Sequence, residues 1–449
     1  MRERFRPDNF EGMTDVISLS TKTNGSIPGR FRVASAWLLA VVAVFIAVLL
    51  YFAALLVTAQ TTENAPLSYV VATLVALVCA IGLARLSVRL RGGHKTSRKW
   101  LTEGVCLTVS LLLAAGLSWT WFGAPATYTP LPDSPAVQYW DLPTGSRIGY
   151  TRTAGTVTHA EPVLLVHGGP GAPSTTNDEF AGRLAAAGFA VYTYQQVGAG
   201  QSSRLDPKDY TIDRHIADLE AIRQKLAAPK VVLIGSSWGG QLTAHYMAAH
   251  PDNVAKAVVA SPGAMSSDSF SDGSLTPTGN SDQSGQFAKH TRFAATFFLA
   301  QVGGLRAART LMPADTADGL YQQFVHSLNM SAGCPDTAEA DRSADSTAGY
   351  SLWVNVATLA SASKAADPRP ALRHNSTPVL VLRAQCDYLR WEVTREYRDT
   401  FPQSTMLTID GAGHTALADK PAETGAAVAA FLTGESLPAK PYIAAEAPW

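Results

Sequence analysis

Residues 231–246 read VVLIGSSWGGQLTAHY, a short β-branched run that meets Gly-Ser-Ser-Trp-Gly-Gly and passes at once into an amphipathic stretch. Glycine is favoured where a backbone turns too sharply for a Cβ or where another segment must come close. The stretch therefore reads as a strand, a strained turn and a helix. The glycines fix the register and put Ser237 at the centre of G-x-S-x-G. Such an elbow holds the serine Oγ clear of the sheet and aims the next backbone N–H, that of Trp238, at a substrate oxygen. Ser236 reads as packed against the turn.

The same rhythm runs through the later part of the chain. PVLLVHG (162–168), FAVYTYQ (189–195), KVVLIG (230–235), KAVVAS (256–261), PVLVLR (378–383) and STMLTID (404–410) read as strands. EFAGRLAAAG, TIDRHIADLEAIRQKLAA and QLTAHYMAAH lie between strands and have helical spacing. Alternating strands and helices imply an α/β fold with a mostly parallel sheet covered on both faces. The alternation stops over 262–373, a stretch too long for a plain loop, and a helical cap over the carboxyl edge of the sheet is expected there. The core then comprises 137–261 and 374–435, with 436–449 as a tail.

A serine hydroxyl needs a base, and the base needs an orienting carboxylate. Asp387 lies just past the strand VLVLR, and His414 lies in the loop after STMLTID. Both stand at strand ends in the order serine, acid, histidine, so Ser237, Asp387 and His414 are the candidate triad. The loop HGGPG (167–171) follows a strand directly, and its small residues Gly168 and Gly169 would complete an oxyanion site with Trp238. His167 reads as a structural residue of that turn.

The first quarter of the chain is different. ASAWLLAVVAVFIAVLLYFAALLVT (34–58), SYVVATLVALVCAIGLARL (68–86) and VCLTVSLLLAAGLSWTWFG (105–123) are long apolar runs. Each approaches the roughly 20 residues that cross a hydrocarbon core. Trp100, Trp119 and Trp121 flank the third run, as interfacial aromatics do. Arginine and lysine crowd residues 1–33 and the 85–99 connection, while AQTTENAPL between the first two runs has neither. The expectation is a three-helix membrane region over 34–123, with residues 1–33 cytoplasmic and everything after the 124–136 linker outside. Of four cysteines, only Cys334 and Cys386 lie in that outer portion. An oxidising exterior permits a disulfide between them, and two buried thiols are the alternative. Lysine plus arginine and aspartate plus glutamate each number 36, so no charge excess points to nucleic acid. No cofactor or metal is implied; the expected partners are a substrate and the bilayer.

HGGPG, the turn QQVGAGQSS, the G-x-S-W-G-G elbow, the cap and the late aspartate and histidine together resemble the prolyl iminopeptidase-like branch of the α/β-hydrolases over about 137–435. The resemblance implies an α/β-hydrolase fold and an aminopeptidase acting on short peptides. Here Gln195 and Val197 stand where that branch has an acidic and a basic residue, and Asn355 follows Trp353 and Val354 where it has a Trp-Glu pair. Asp336, Glu339, Asp341 and Asp345 of the cap are not assigned to amine recognition. An esterase or lactonase for a small apolar acyl compound is the alternative, and a non-catalytic ligand-binding protein is the reading from another class.

Overall fold

The computed structural model describes residues 29–90, 96–120, 134–173, 178–267, 304–327 and 349–449, with isolated positions at 269, 292–294, 298 and 300. The chain divides into two compact units, one of residues 1–53 and 72–114, the other of residues 54–71 and 115–449.

The first unit holds the bodies of α1 (Gly29–Thr62), α2 (Ala65–Leu90) and α3 (Thr96–Ser118). Their buried positions recur every fourth residue: Ala43 and Ala47 on α1, Ala72, Ala76, Ala80 and Ala84 on α2, Cys106, Ser110 and Ala114 on α3. Small residues at that spacing fall on one helix face and let backbones approach closely. Leu38, Phe45, Leu49, Val78 and Leu112 are exposed. Val41–Thr62 and Ala65–Leu86 are long and apolar enough to cross a membrane. The third expected span falls short of that measure, its apolar part covering only Glu103–Ser118. Charged residues occupy the first turns of α3, and Glu103 pairs with Arg85 of α2 at 3.4 Å. Trp121 and residues 122–123 lie outside the described residues.

The second unit is built on an eight-stranded sheet of order β1-β2-β4-β3-β5-β6-β7-β8. β3 (Val163–Val166), β4 (Val191–Tyr194), β5 (Val231–Ser236), β6 (Val254–Ala260), β7 (Val379–Cys386) and β8 (Ser404–Gly413) are the six runs read from the sequence, and each pairs in parallel with its neighbours in this group. β1 (Gln138–Asp141) and β2 (Arg147–Thr153) add an antiparallel hairpin that the sequence pattern did not reveal, because one of its faces is polar and exposed. The Asp218 carboxylate pins its turn by accepting the hydroxyls of Thr144 (2.5 Å) and Ser146 (2.7 Å).

Successive residues of the central strands enter different cores. Leu164, Val166, Leu233 and Val381 join one cluster, while Val163, Leu165, Ile234 and Leu382 join the other. This period of two explains why the strands are apolar throughout. The first face is covered by α5 (Ile212–Lys225) and α6 (Trp238–Ala249), the second by α4 (Asp178–Ala186) and a late helix, Pro421–Thr433. Each fully buried aliphatic side chain contributes about 1.5–3 kcal/mol.

Between β6 and β7 the described part of the cap is helical: α7 (Gly304–Leu311), α8 (Ala314–Ser327), α9 (Leu352–Ala362) and α10 (Arg369–Leu372). Cys334, Asp336, Glu339, Asp341 and Asp345 lie outside the described residues. After β7 come α11 (Trp391–Thr400), β8, α12 (Ala416–Asp419) and the Pro421–Thr433 helix, α13. In the tail, the Tyr442 N–H donates to Met406 O at 2.8 Å, covering part of the β8 edge.

Candidate active site

β5 ends at Ser236 and α6 begins at Trp238, leaving Ser237 alone between them with φ 55° and ψ −122°. A non-glycine residue held in so sparsely populated a region stores on the order of 1–3 kcal/mol and persists only where its surroundings impose it. Those surroundings are explicit. The Ser237 N–H donates to Ala260 O at 3.0 Å, and its carbonyl accepts from Gly240 and Gly263 N–H, each at 2.9 Å. A Cβ at Gly239 would overlap the carbonyl oxygen of Val166, so the helix start can lie against β3 only with glycine there. As first helical residue, Trp238 has an N–H with no intrahelical acceptor.

β3 delivers the HGGPG loop beside the elbow. A methyl group built on Gly168 would sit 3.0 Å from Ser237 Cβ and 3.6 Å from its Oγ. His167 Nδ1 faces Gly168 O at 2.8 Å, and its Nε2 faces the Gln196 N–H at 2.9 Å. A carbonyl can only accept and an amide N–H can only donate, so Nδ1 carries the proton and the ring is neutral. Burial lowers the His167 pKa to about 4, against a weaker opposing bond to Gly168. His167 is thus a structural residue of the turn, as read from the sequence.

β7 and β8 bring in the other two residues. Cys386 pairs with Gly413 in the ladder, so the next residues, Asp387 and His414, leave adjacent strand ends together. His414 Nδ1 lies 2.7 Å from Asp387 Oδ1. The ring is only 3% exposed, and its Nε2 is buried without a hydrogen-bond partner. That nitrogen is the atom a triad uses to take a serine proton. Tyr388 lies against the same ring, centroids 4.2 Å apart.

Arg383, read from the sequence only as part of a strand, is buried within β7. Its Nη1 donates to Asp387 Oδ2 at 3.2 Å, and its Nη2 donates to Leu389 O at 3.0 Å. Leu389 N–H in turn donates to Asp387 Oδ1 at 3.0 Å. Burial raises the Asp387 carboxyl pKa, but His414 and then Arg383 outweigh it and hold the group below its ordinary value. A charge within an otherwise apolar strand was the signal, since a buried cation needs a partner. Asp419 steadies the histidine loop by accepting from Gly413 N–H (2.8 Å) and the Thr415 hydroxyl (2.9 Å).

The cap reaches the site through α9 and α8. Ser351 N–H donates to Gly171 O at 2.7 Å, and Asn355 Nδ2 donates to Pro170 O (3.0 Å) and Tyr321 Oη (2.8 Å). Asp318 accepts from Arg204 (2.9 Å) and from Leu352 N–H (2.8 Å). Burial raises the Asp318 pKa to about 6 in spite of Arg204. The Gln195 side chain turns back to accept from Gln201 N–H at 2.6 Å, and Val197 is buried in the core, so both positions that depart from the family pattern serve the turn itself. Cys386 is disulfide-bonded, whereas Cys79 and Cys106 form no disulfide. Among the described residues no group of three or more His, Cys, Asp or Glu side chains is placed to hold a metal ion.

A parallel sheet with a strained serine elbow after β5 and a carboxylate–imidazole pair after β7 and β8 is the architecture of an α/β hydrolase. The chain belongs to the alpha/beta hydrolase fold family, whose profile matches residues 161–421, more than half of its length. It is 35% identical over 115 residues to a proline iminopeptidase of Lactobacillus helveticus (strain DPC 4571), a match covering 25% of this chain and 39% of that protein. With a proline iminopeptidase of Lactobacillus delbrueckii subsp. lactis it shares 32% identity over 123 residues, 27% of this chain and 42% of the relative. The chain thus aligns with about two fifths of the length of these relatives. A solved esterase from Exiguobacterium antarcticum superposes on 66% of this chain and 99% of its own, at 16% identity and a TM-score of 0.49. Family and relatives support a hydrolase enzyme.

Proposed function

We propose that this chain is a membrane-anchored serine hydrolase in which Ser237 attacks an acyl carbon, His414 Nε2 takes its proton and Asp387 holds the imidazole. The observation that carries the reading is the 2.7 Å His414–Asp387 pair with its far nitrogen buried and unpartnered, on the sheet edge that carries the Ser237 elbow. The N–H groups of Trp238, Gly168 and Gly169 are the oxyanion donors. Each such donor contributes roughly 3 kcal/mol of transition-state stabilisation. The relatives named proline iminopeptidase favour a short peptide cleaved at an amino-terminal residue.

A specific observation favours the second reading, an esterase or lactonase. Asn355 brings a neutral amide to the cap edge, and Asp318, the nearby cap carboxylate, is taken up by Arg204 and Leu352 N–H. Neither supplies a free negative charge for a substrate ammonium group. The test is turnover of aminoacyl and short-acyl chromogenic substrates by purified wild type and Ser237→Ala. Loss of all turnover in the variant is expected, and residual wild-type rates would defeat the serine mechanism.

For location we infer three crossings with the hydrolase outside. Glu63, in the turn between α1 and α2, pairs with Arg306 (2.6 Å) and Arg309 (2.9 Å) of cap helix α7. If α1 and α2 both span, that turn and the hydrolase lie on one side only when α3 crosses as well. The charge distribution puts this side outside, and the disulfide at Cys386 suits an oxidising compartment. We further propose Cys334 as its partner. Protease treatment of intact cells should degrade the hydrolase unit; full protection would reverse the orientation.

A further inference from the structure

We propose that Gln196 is the positioning residue that sets the direction of the oxyanion donors; this rests on the serine-hydrolase reading above. Gln196 follows β4 and is 1% exposed. Its Nε2 donates to His167 O at 2.8 Å, and its Oε1 accepts from Trp238 Nε1 at 3.0 Å. The amide orientation is fixed by its partners, since a carbonyl cannot donate and an indole N–H cannot accept. Its backbone N–H donates to His167 Nε2, and His167 Nδ1 donates to Gly168 O.

These four bonds act on the donors through peptide planarity. In a trans peptide the C=O and the following N–H point in opposite directions within one rigid plane. Holding His167 C=O therefore aims the Gly168 N–H, and holding Gly168 C=O aims the Gly169 N–H. Gln196 makes the first bond with its side chain and governs the second through the ring it orients. Its third partner is the side chain of Trp238, whose own N–H opens α6 beside Ser237. One buried amide thus ties together the two segments whose N–H groups must converge on one oxygen. Substitution by methionine keeps the shape and removes both bonds. Glutamate keeps an acceptor for Trp238 but sets an oxygen against His167 O.

The test compares wild type, Gln196→Met, Gln196→Glu and Trp238→Phe on a p-nitrophenyl acyl ester and on its thionoester, in which sulfur replaces the oxygen that the donors bind. Rates are normalised to the fraction of protein titrated by a fluorophosphonate. Misaimed donors should lower kcat about 10–100-fold with KM within about threefold, and should lower the oxoester-to-thionoester ratio. Trp238→Phe, which removes one of the two side-chain bonds, should show the same pattern more weakly, and its combination with Gln196→Met should be less than additive. An unchanged oxoester-to-thionoester ratio in correctly titrating variants would overturn the proposal, leaving Gln196 a packing residue. A wild type without Ser237-dependent turnover would instead overturn the serine-hydrolase reading and this inference with it.

Discussion

The loops after β3, β4 and β5 and the loops after β7 and β8 stand on one sheet edge but are held by different forces. Beside Ser237 the first group is organised by neutral groups: a neutral His167, the Gln196 amide, an indole N–H and backbone amides. The second is organised by charge, with Arg383 on one oxygen of Asp387 and His414 on the other. The division follows the chemistry proposed for each side. Donors that receive a transient oxyanion must keep a fixed direction, which well-satisfied neutral bonds supply. An imidazole that becomes charged during turnover needs a permanent counter-charge beside it.

The largest expected effect lies on the charged side. Asp387→Asn should lower kcat by about 10⁴-fold, measured in steady state on any substrate the wild type turns over, because the amide favours the wrong tautomer of His414. Arg383→Met removes one partner of a buried carboxylate and should destabilise the fold by about 3–5 kcal/mol, read from the midpoint of urea unfolding. A loss near zero would mean that the pair is not buried as drawn and that the two sides do not differ in kind.

On the neutral side the distinguishing variable is pH. The folded His167 pKa, about 4, is below the ordinary value near 6.5, so the unfolded chain gains the proton first as pH falls. The contribution of neutral His167 is therefore fully present above about pH 6.5 and is lost progressively down to about pH 4, a total of roughly 3 kcal/mol. His215, whose pKa burial lowers to about 3, acts in the same direction. Denaturation midpoints between pH 7 and pH 4 should fall, and His167→Asn should flatten the slope. Asp387, held below its ordinary value, loses its contribution only at lower pH. The smallest effect belongs to Glu63→Gln in the half-exposed cluster with Arg306 and Arg309, at most about 1 kcal/mol by the same measurement.

The sequence showed most of what is local and little of what is relational. Six strands were legible because their residues are apolar on both faces, whereas Gln138–Thr153 was not, since one face of that hairpin is polar and its register depends on Asp218 far along the chain. Ser237, Asp387 and His414 were legible from strand ends, and the structure joins two of them by a hydrogen bond. Gln196 was invisible because its partners lie 29 and 42 residues away, and glutamine carries no charge to flag a buried site. The third apolar run, 105–123, extends past the end of α3 at Ser118, and its last three residues lie outside the described residues.

The central claim is that Ser237 is activated by the His414–Asp387 pair. Fluorophosphonate labelling of wild type and His414→Ala, with the adduct mapped by mass spectrometry, tests it most directly. The account predicts a single adduct on Ser237 whose rate of formation falls at least about 100-fold without the imidazole. Equal labelling rates in the two proteins, or an adduct on another residue, would contradict it.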